Sequence, residues 1–140
     1  MDNRSEKIAS LIPAFWASLF DITVTIIHQP KEYWNGDLSS ANEGNPIGQF
    51  MMSQHILGIF VISILWLLAI ILLGYYLPRK LSRVFLVFVL LVHGWGAATW
   101  ITRYGFLAVI AFMIFNSALF CGVDEWVAHS RKSRIFNQPS

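Results

Sequence analysis

Residues 56–83 read ILGIFVISILWLLAIILLGYYLPRKLSR, and this stretch decides the fold. Its first part is a nearly unbroken apolar run. As a helix it is long enough to cross the roughly 30 Å of hydrocarbon in a bilayer, which takes about 20 residues. Pro78 stops such a helix, and Arg79, Lys80 and Arg83 follow where cations meet lipid headgroups. The same pattern of apolar run and basic cluster recurs along the chain. Of its 10 Lys and Arg, Arg4 and Lys7 precede the first run and Arg131, Lys132 and Arg134 follow the last, leaving Lys31 and Arg103 for the other connections. Short cytoplasmic segments are enriched in Lys and Arg. The pattern therefore predicts an all-α polytopic membrane protein with four transmembrane helices, multi-pass in the cell membrane, with both termini on the cytoplasmic side.

Composition agrees. The 140 residues are 56% hydrophobic and 13% charged, about half the usual charged share of ~25%. A soluble domain of this size would be left with apolar surface that drives association. The net charge of +2 comes from the basic anchors and does not point to nucleic acid. Cys121 is the only cysteine, which excludes an intrachain disulfide and a cysteine cluster for a metal, and reads as a small packing residue in the fourth run. Arg4 and Lys7 ahead of the first run also suit a signal peptide. Asp21, Thr23, Thr25 and His28 interrupt that run, however, and no Ala-x-Ala site follows, so a retained helix is expected.

The expected spans are 8–28, 50–77, 81–102 and 104–126 within a single domain, 1–140. Arg103-Tyr104-Gly105 leaves room only for a tight antiparallel hairpin between the last two. The outer loop, 29–49, carries turn-forming clusters at Trp34-Asn35-Gly36-Asp37 and Glu43-Gly44-Asn45-Pro46. Asn45 before Pro46 reads as an N-cap and first helical residue, so the second helix is expected to begin there, a turn above the bilayer. Tyr33, Trp34, Trp100 and Tyr104 suit an interfacial position. The basic tail, 129–140, is expected to be short and mobile.

The first span is the most informative. Ala14, Ser18, Asp21, Thr25 and His28 recur on one helical face, as a stripe that neighbouring helices pack against. Asp21 stands out, because a carboxylate inside a bilayer costs about 2.5–3.5 kcal/mol and is functional by default. Thr25, one turn away, can offer it a hydroxyl. Heights follow from the anchors at about 1.5 Å per residue. Asp21 lies about 20 Å above Ile8, and His93 about 14 Å above Val84. His28 and His55 fall near the outer surface, at about 30 and 33 Å. These heights group His28 with His55 beneath Glu43 and Asn45, pair His93 with Asn116 near the midplane, and leave Asp21 between the layers. The run His93-Gly94-Trp95-Gly96-Ala97-Ala98 would let a partner helix pack close to the histidine.

Leu19-Phe20-Asp21-Ile22-Thr23-Val24-Thr25 resembles the Asp-x-x-x-Thr signature of a family of small integral membrane proteins catalogued as a domain of unknown function. Glu43-Gly44-Asn45-Pro46-Ile47 resembles that family's Glu-x-Asn-Pro segment. The resemblance implies that Asp21, Thr25, Glu43, Asn45 and Pro46 form one structural or functional unit; it implies no activity. No serine stands in a Gly-x-Ser-x-Gly context and no span carries His-x-x-x-His, so no catalytic residue and no cofactor is predicted. The favoured reading is an accessory or assembly subunit acting through helix–helix contacts among membrane lipids, as a homo-oligomer or with a larger membrane-protein partner. A small ion- or proton-coupled transporter using Asp21 is the alternative. A membrane redox protein with His ligands is the second.

Overall fold

A computed structural model describes residues 3–136, with side chains at 4–133. Each apolar run becomes a helix. α1 (Asn3–Ile27) rises beside the last turns of the final helix and leads into a loop with a short helix, α2 (Lys31–Trp34). α3 (Pro46–Gln54) and α4 (Gly58–Tyr76) follow, then α5 (Arg79–Ile101) and α6 (Phe106–Phe136), with no strand among the described residues. α1, α4, α5 and α6 are the four helices long and apolar enough to cross a membrane.

α1 is the central helix. It packs on α4, α5 and α6, whereas among the described residues the backbones of α4 and α6 do not approach each other. Its small-residue stripe explains the position: Ala14, Ala17 and Ser18 are at most 1% exposed, so neighbouring backbones come close. In lipid, where apolar side chains gain nothing by leaving solvent, such close packing drives association. Leu11 and Ala14 meet Ile70, Leu86 and Val89 in one core. The other side of α1 receives α6, through Trp16 on Phe115 and Phe20 on Phe112, with ring centres 5.7 and 4.8 Å apart. Between α5 and α6 the tight connection is present, and Gly105 takes φ +97°, a conformation that only glycine adopts without penalty.

The second span departs from expectation. Asn45 does cap α3, its Oδ1 accepting the Ile47 N–H at 3.0 Å. The helix then breaks: His55 is extended (φ −163°, ψ 148°), and α4 starts afresh at Gly58. One local and one long-range side-chain bond compensate the break. His55 Nδ1 accepts the Leu57 N–H at 3.0 Å, and the Ile56 carbonyl accepts the Tyr33 O–H at 2.9 Å. The exposed backbone groups at the break are thereby partnered. Tyr33 is consequently no interfacial anchor. It is 0% exposed and packs with Met52 and Ile59 in a second core that roofs the bundle.

Two further expectations change. The basic tail is not a separate segment, because α6 continues to Phe136. Arg131 Nε donates to Glu6 Oε2 at 2.9 Å and ties that continuation to α1. Residues 137–140, and the side chains of Arg134, Ile135 and Phe136, lie outside the described part. Cys121 is exposed rather than packed, since α6 uses one side against α1 and turns the other outward.

Candidate functional site

Asp21 and His93 meet. His93 Nδ1 lies 2.8 Å from Asp21 Oδ2, with the two side chains only 14% and 17% exposed. The other ring nitrogen, Nε2, accepts the indole N–H of Trp66. One imidazole thus joins α1, α4 and α5. The pairing of His93 with Asn116 expected from heights is not formed. Asn116 Nδ2 donates to Phe112 O in its own helix at 2.9 Å, and its Oδ1 is buried with no partner among the described residues. The reason is a misplaced origin. The basic cluster belongs to the first turns of α5, not below it. Counting instead from Arg79 and from Glu6 places His93 and Asp21 at about 21 and 22 Å, one shared level.

The tautomer follows from the partners. An indole N–H can only donate, so Nε2 must be bare and the ring proton sits on Nδ1, donated to the Asp21 carboxylate. Gly96 makes room for that carboxylate: a Cβ there would lie 2.8 Å from both of its oxygens. This is the close approach promised by the small-residue run after His93. Trp66 was missed because a lone tryptophan in an apolar run carries no local signal.

The remaining residues divide. Thr25 is buried, but its hydroxyl makes no hydrogen bond to Asp21; its carbonyl accepts from Gln29 Nε2 at 3.3 Å. Gln29, which sequence reasoning passed over, is the clasp of the loop. Its Nε2 donates to Asn42 O at 2.8 Å, and its Oε1 accepts the Asn42 N–H at 2.9 Å. His28 and His55 do not form an outer pair. The His28 ring donates to Val24 O (2.7 Å), accepts from the Tyr104 O–H (3.2 Å) and stacks on Trp100. His55 is committed to the start of α4. Among the described residues, no three His, Cys, Asp or Glu side chains converge as a metal would require.

Glu43 comes near the pair. It lies along Gly48 on α3, its Oε1 accepting the Asn45 N–H at 2.7 Å. Burial pushes its carboxyl above the ordinary value of 4.5, the Asn45 N–H pulls it back, and the negative charge of Asp21 raises it again. An acid whose pKa is raised by folding favours the folded loop below its unfolded pKa and loses that contribution as pH rises through the raised value. Protease protection of the 41–49 segment should therefore be greater at pH 4.5 than at pH 7. Glu43→Gln should flatten the difference, and an unchanged pH profile in that variant would count against this assignment.

Comparisons with protein-family models, with curated proteins and with solved structures give no match to this chain, so its chemistry rests on these side chains.

Proposed function

We propose that this chain is a multi-pass protein of the cell membrane, with both termini cytoplasmic, and that Asp21, His93 and Trp66 form the proton-binding centre of a small proton-coupled carrier. The observation that carries the reading is the bridging imidazole, held by a carboxylate on α1 and an indole on α4. An incoming proton has two places to go. On the Asp21 carboxylate it neutralises the charge and leaves the indole bond intact. On His93 Nε2 it also neutralises the pair, but Trp66 must then let go, because two N–H groups cannot share one bond. Charge state is thereby coupled to the grip of α4 on α5, which is what a carrier driven by protons requires. Glu43, on the loop side of the pair, offers a titratable group between it and the outside.

The test is proton uptake into liposomes containing the purified protein and a trapped pH dye, under an imposed gradient. Asp21→Asn keeps an acceptor for the Nδ1–H while removing the charge, and should abolish uptake; Trp66→Phe should leave uptake but uncouple it from solute movement. Equal flux from wild type and Asp21→Asn, or none from either, would sink the reading.

A second reading, an accessory or assembly subunit, is favoured by α6, whose apolar stretch is only 11% buried. Cys121 sits on that outward side, so oxidative crosslinking in native membranes reports on it directly. A crosslinked homodimer or a captured membrane partner would support assembly; an uncrosslinked monomer would count against it.

A further inference from the structure

The end of the bundle where α1 and α5 begin holds a cavity of about 500 Å³, between these helix starts, the later turns of α6 and the Leu77-Pro78 turn. That is within the roughly 300–1,000 Å³ of small-molecule sites. Four cations line it, Lys7, Arg79, Arg83 and Arg131, against two acids, Glu6 and Asp124. Both acids are committed: Arg83 pairs with Asp124 at 3.1 Å and Arg131 with Glu6 at 2.9 Å. Among the described residues no carboxylate pairs with Lys7 or Arg79. Lys7 donates to Tyr75 O at 2.9 Å and lies 5.3 Å from the Tyr75 ring centre, a position that keeps its charge at the cavity rim. The cavity therefore presents a positive surplus at one end.

Its other wall is apolar. Pro13, Leu86, Val87, Phe120 and Val123 line it, and the step from Lys7 to Pro13 along α1 is about 9 Å. Cations at headgroup height with an apolar wall running inward match an amphiphile whose phosphate lies at the surface. A soluble phosphate would satisfy the cations but leave that wall wet.

We propose that this cavity binds an anionic phospholipid of the inner leaflet, the phosphodiester between Lys7 and Arg79 and the upper acyl chain along Pro13 and Phe120. Basic pockets between membrane helices on the cytoplasmic side recognise lipid phosphates by this chemistry. The inference rests on the membrane reading above but not on the proton centre.

The experiment is native mass spectrometry of the full chain in mild detergent, incubated with phosphatidylglycerol and phosphatidylcholine of identical acyl chains. Wild type should retain phosphatidylglycerol selectively. The double variant Lys7→Gln/Arg79→Gln should lose that retention by roughly 10-fold or more. Arg103→Gln removes one charge at the opposite end and should bind as wild type does. If the double variant loses helix content or melts early, Arg79→Gln alone replaces it, since that exposed side chain packs against no core. Equal retention in the variant with the cavity cations removed overturns the site. Displacement of the lipid by the same concentration of inorganic phosphate overturns the choice of lipid. Carbonate extraction of membranes tests the underlying reading separately: protein in the supernatant removes the membrane itself, whatever the lipid result.

Discussion

Gly58→Ala is expected to detach α3 from α4 and to destabilise the protein by about 3 kcal/mol, at the upper end of overpacking costs. The added Cβ would lie 1.9 Å from the Met51 carbonyl oxygen and 2.5 Å from its carbon. Both are backbone atoms, so no rotamer change relieves the contact. The chain must either open the break at His55 or lift α3. Either movement strips Tyr33 of its bond to Ile56 and uncovers Met52, which is 0% exposed. Gly→Ala gains up to about 1 kcal/mol in a helix interior and less at a first residue such as Gly58, and in neither place is it expected to cost stability, so a loss here would be diagnostic of crowding rather than of propensity. Thermal unfolding in detergent measures the loss, and proteolysis between Lys31 and Gln54 locates it. An unchanged melting temperature would mean that α3 does not rest on α4 as described.

The second large effect is at the pair. Asp21→Leu and His93→Leu should each destabilise, while the double variant should cost less than their sum, leaving a coupling of about 1–3 kcal/mol. Asp21→Leu strands the Nδ1–H of a nearly buried imidazole, and His93→Leu leaves a carboxylate without its donor. Removing one partner of a buried pair is the expensive change; removing both lets apolar groups fill the space. Gly96→Ala provides a route that deletes neither partner. Its Cβ would occupy the volume of the Asp21 carboxylate, so the variant should behave like His93→Leu. Strict additivity in the double variant, measured by unfolding in detergent, would show that the contact carries no energy.

The chain announces some of this and conceals the rest, for physical reasons. Span number, the Gly105 turn and the Asn45 cap depend on local composition and local dihedral preference, and these were legible. The break at His55 was not: the polar step Ser53-Gln54-His55 lay inside a stretch read as one continuous span, and the bond that compensates the break comes from Tyr33, 23 positions before its partner Ile56. The first-span stripe indicated which face of α1 is buried, but not that its opposite face would also be covered by α6. Asp21 was identifiable as a candidate from its cost in lipid alone. Its partner was not: an error of one helical turn in the origin of α5 was enough to assign His93 to Asn116. Motif residues Glu43 and Asn45 fold together as a cap, whereas Gln29, which closes that loop, belongs to no motif.

The separation of the pair along the chain bears on how the protein is made. His93 is 72 residues downstream of Asp21. During synthesis in a membrane, α1 would emerge with a carboxylate whose donor does not yet exist, at a cost of about 2.5–3.5 kcal/mol on insertion scales. α4, with a mean hydropathy of 2.6 and no acid or base, carries no such debt and can enter alone. On the membrane topology proposed above, stable residence of the first helix waits for the third crossing, so a ribosome paused before codon 93 should leave a nascent chain whose N-terminal segment is still extractable.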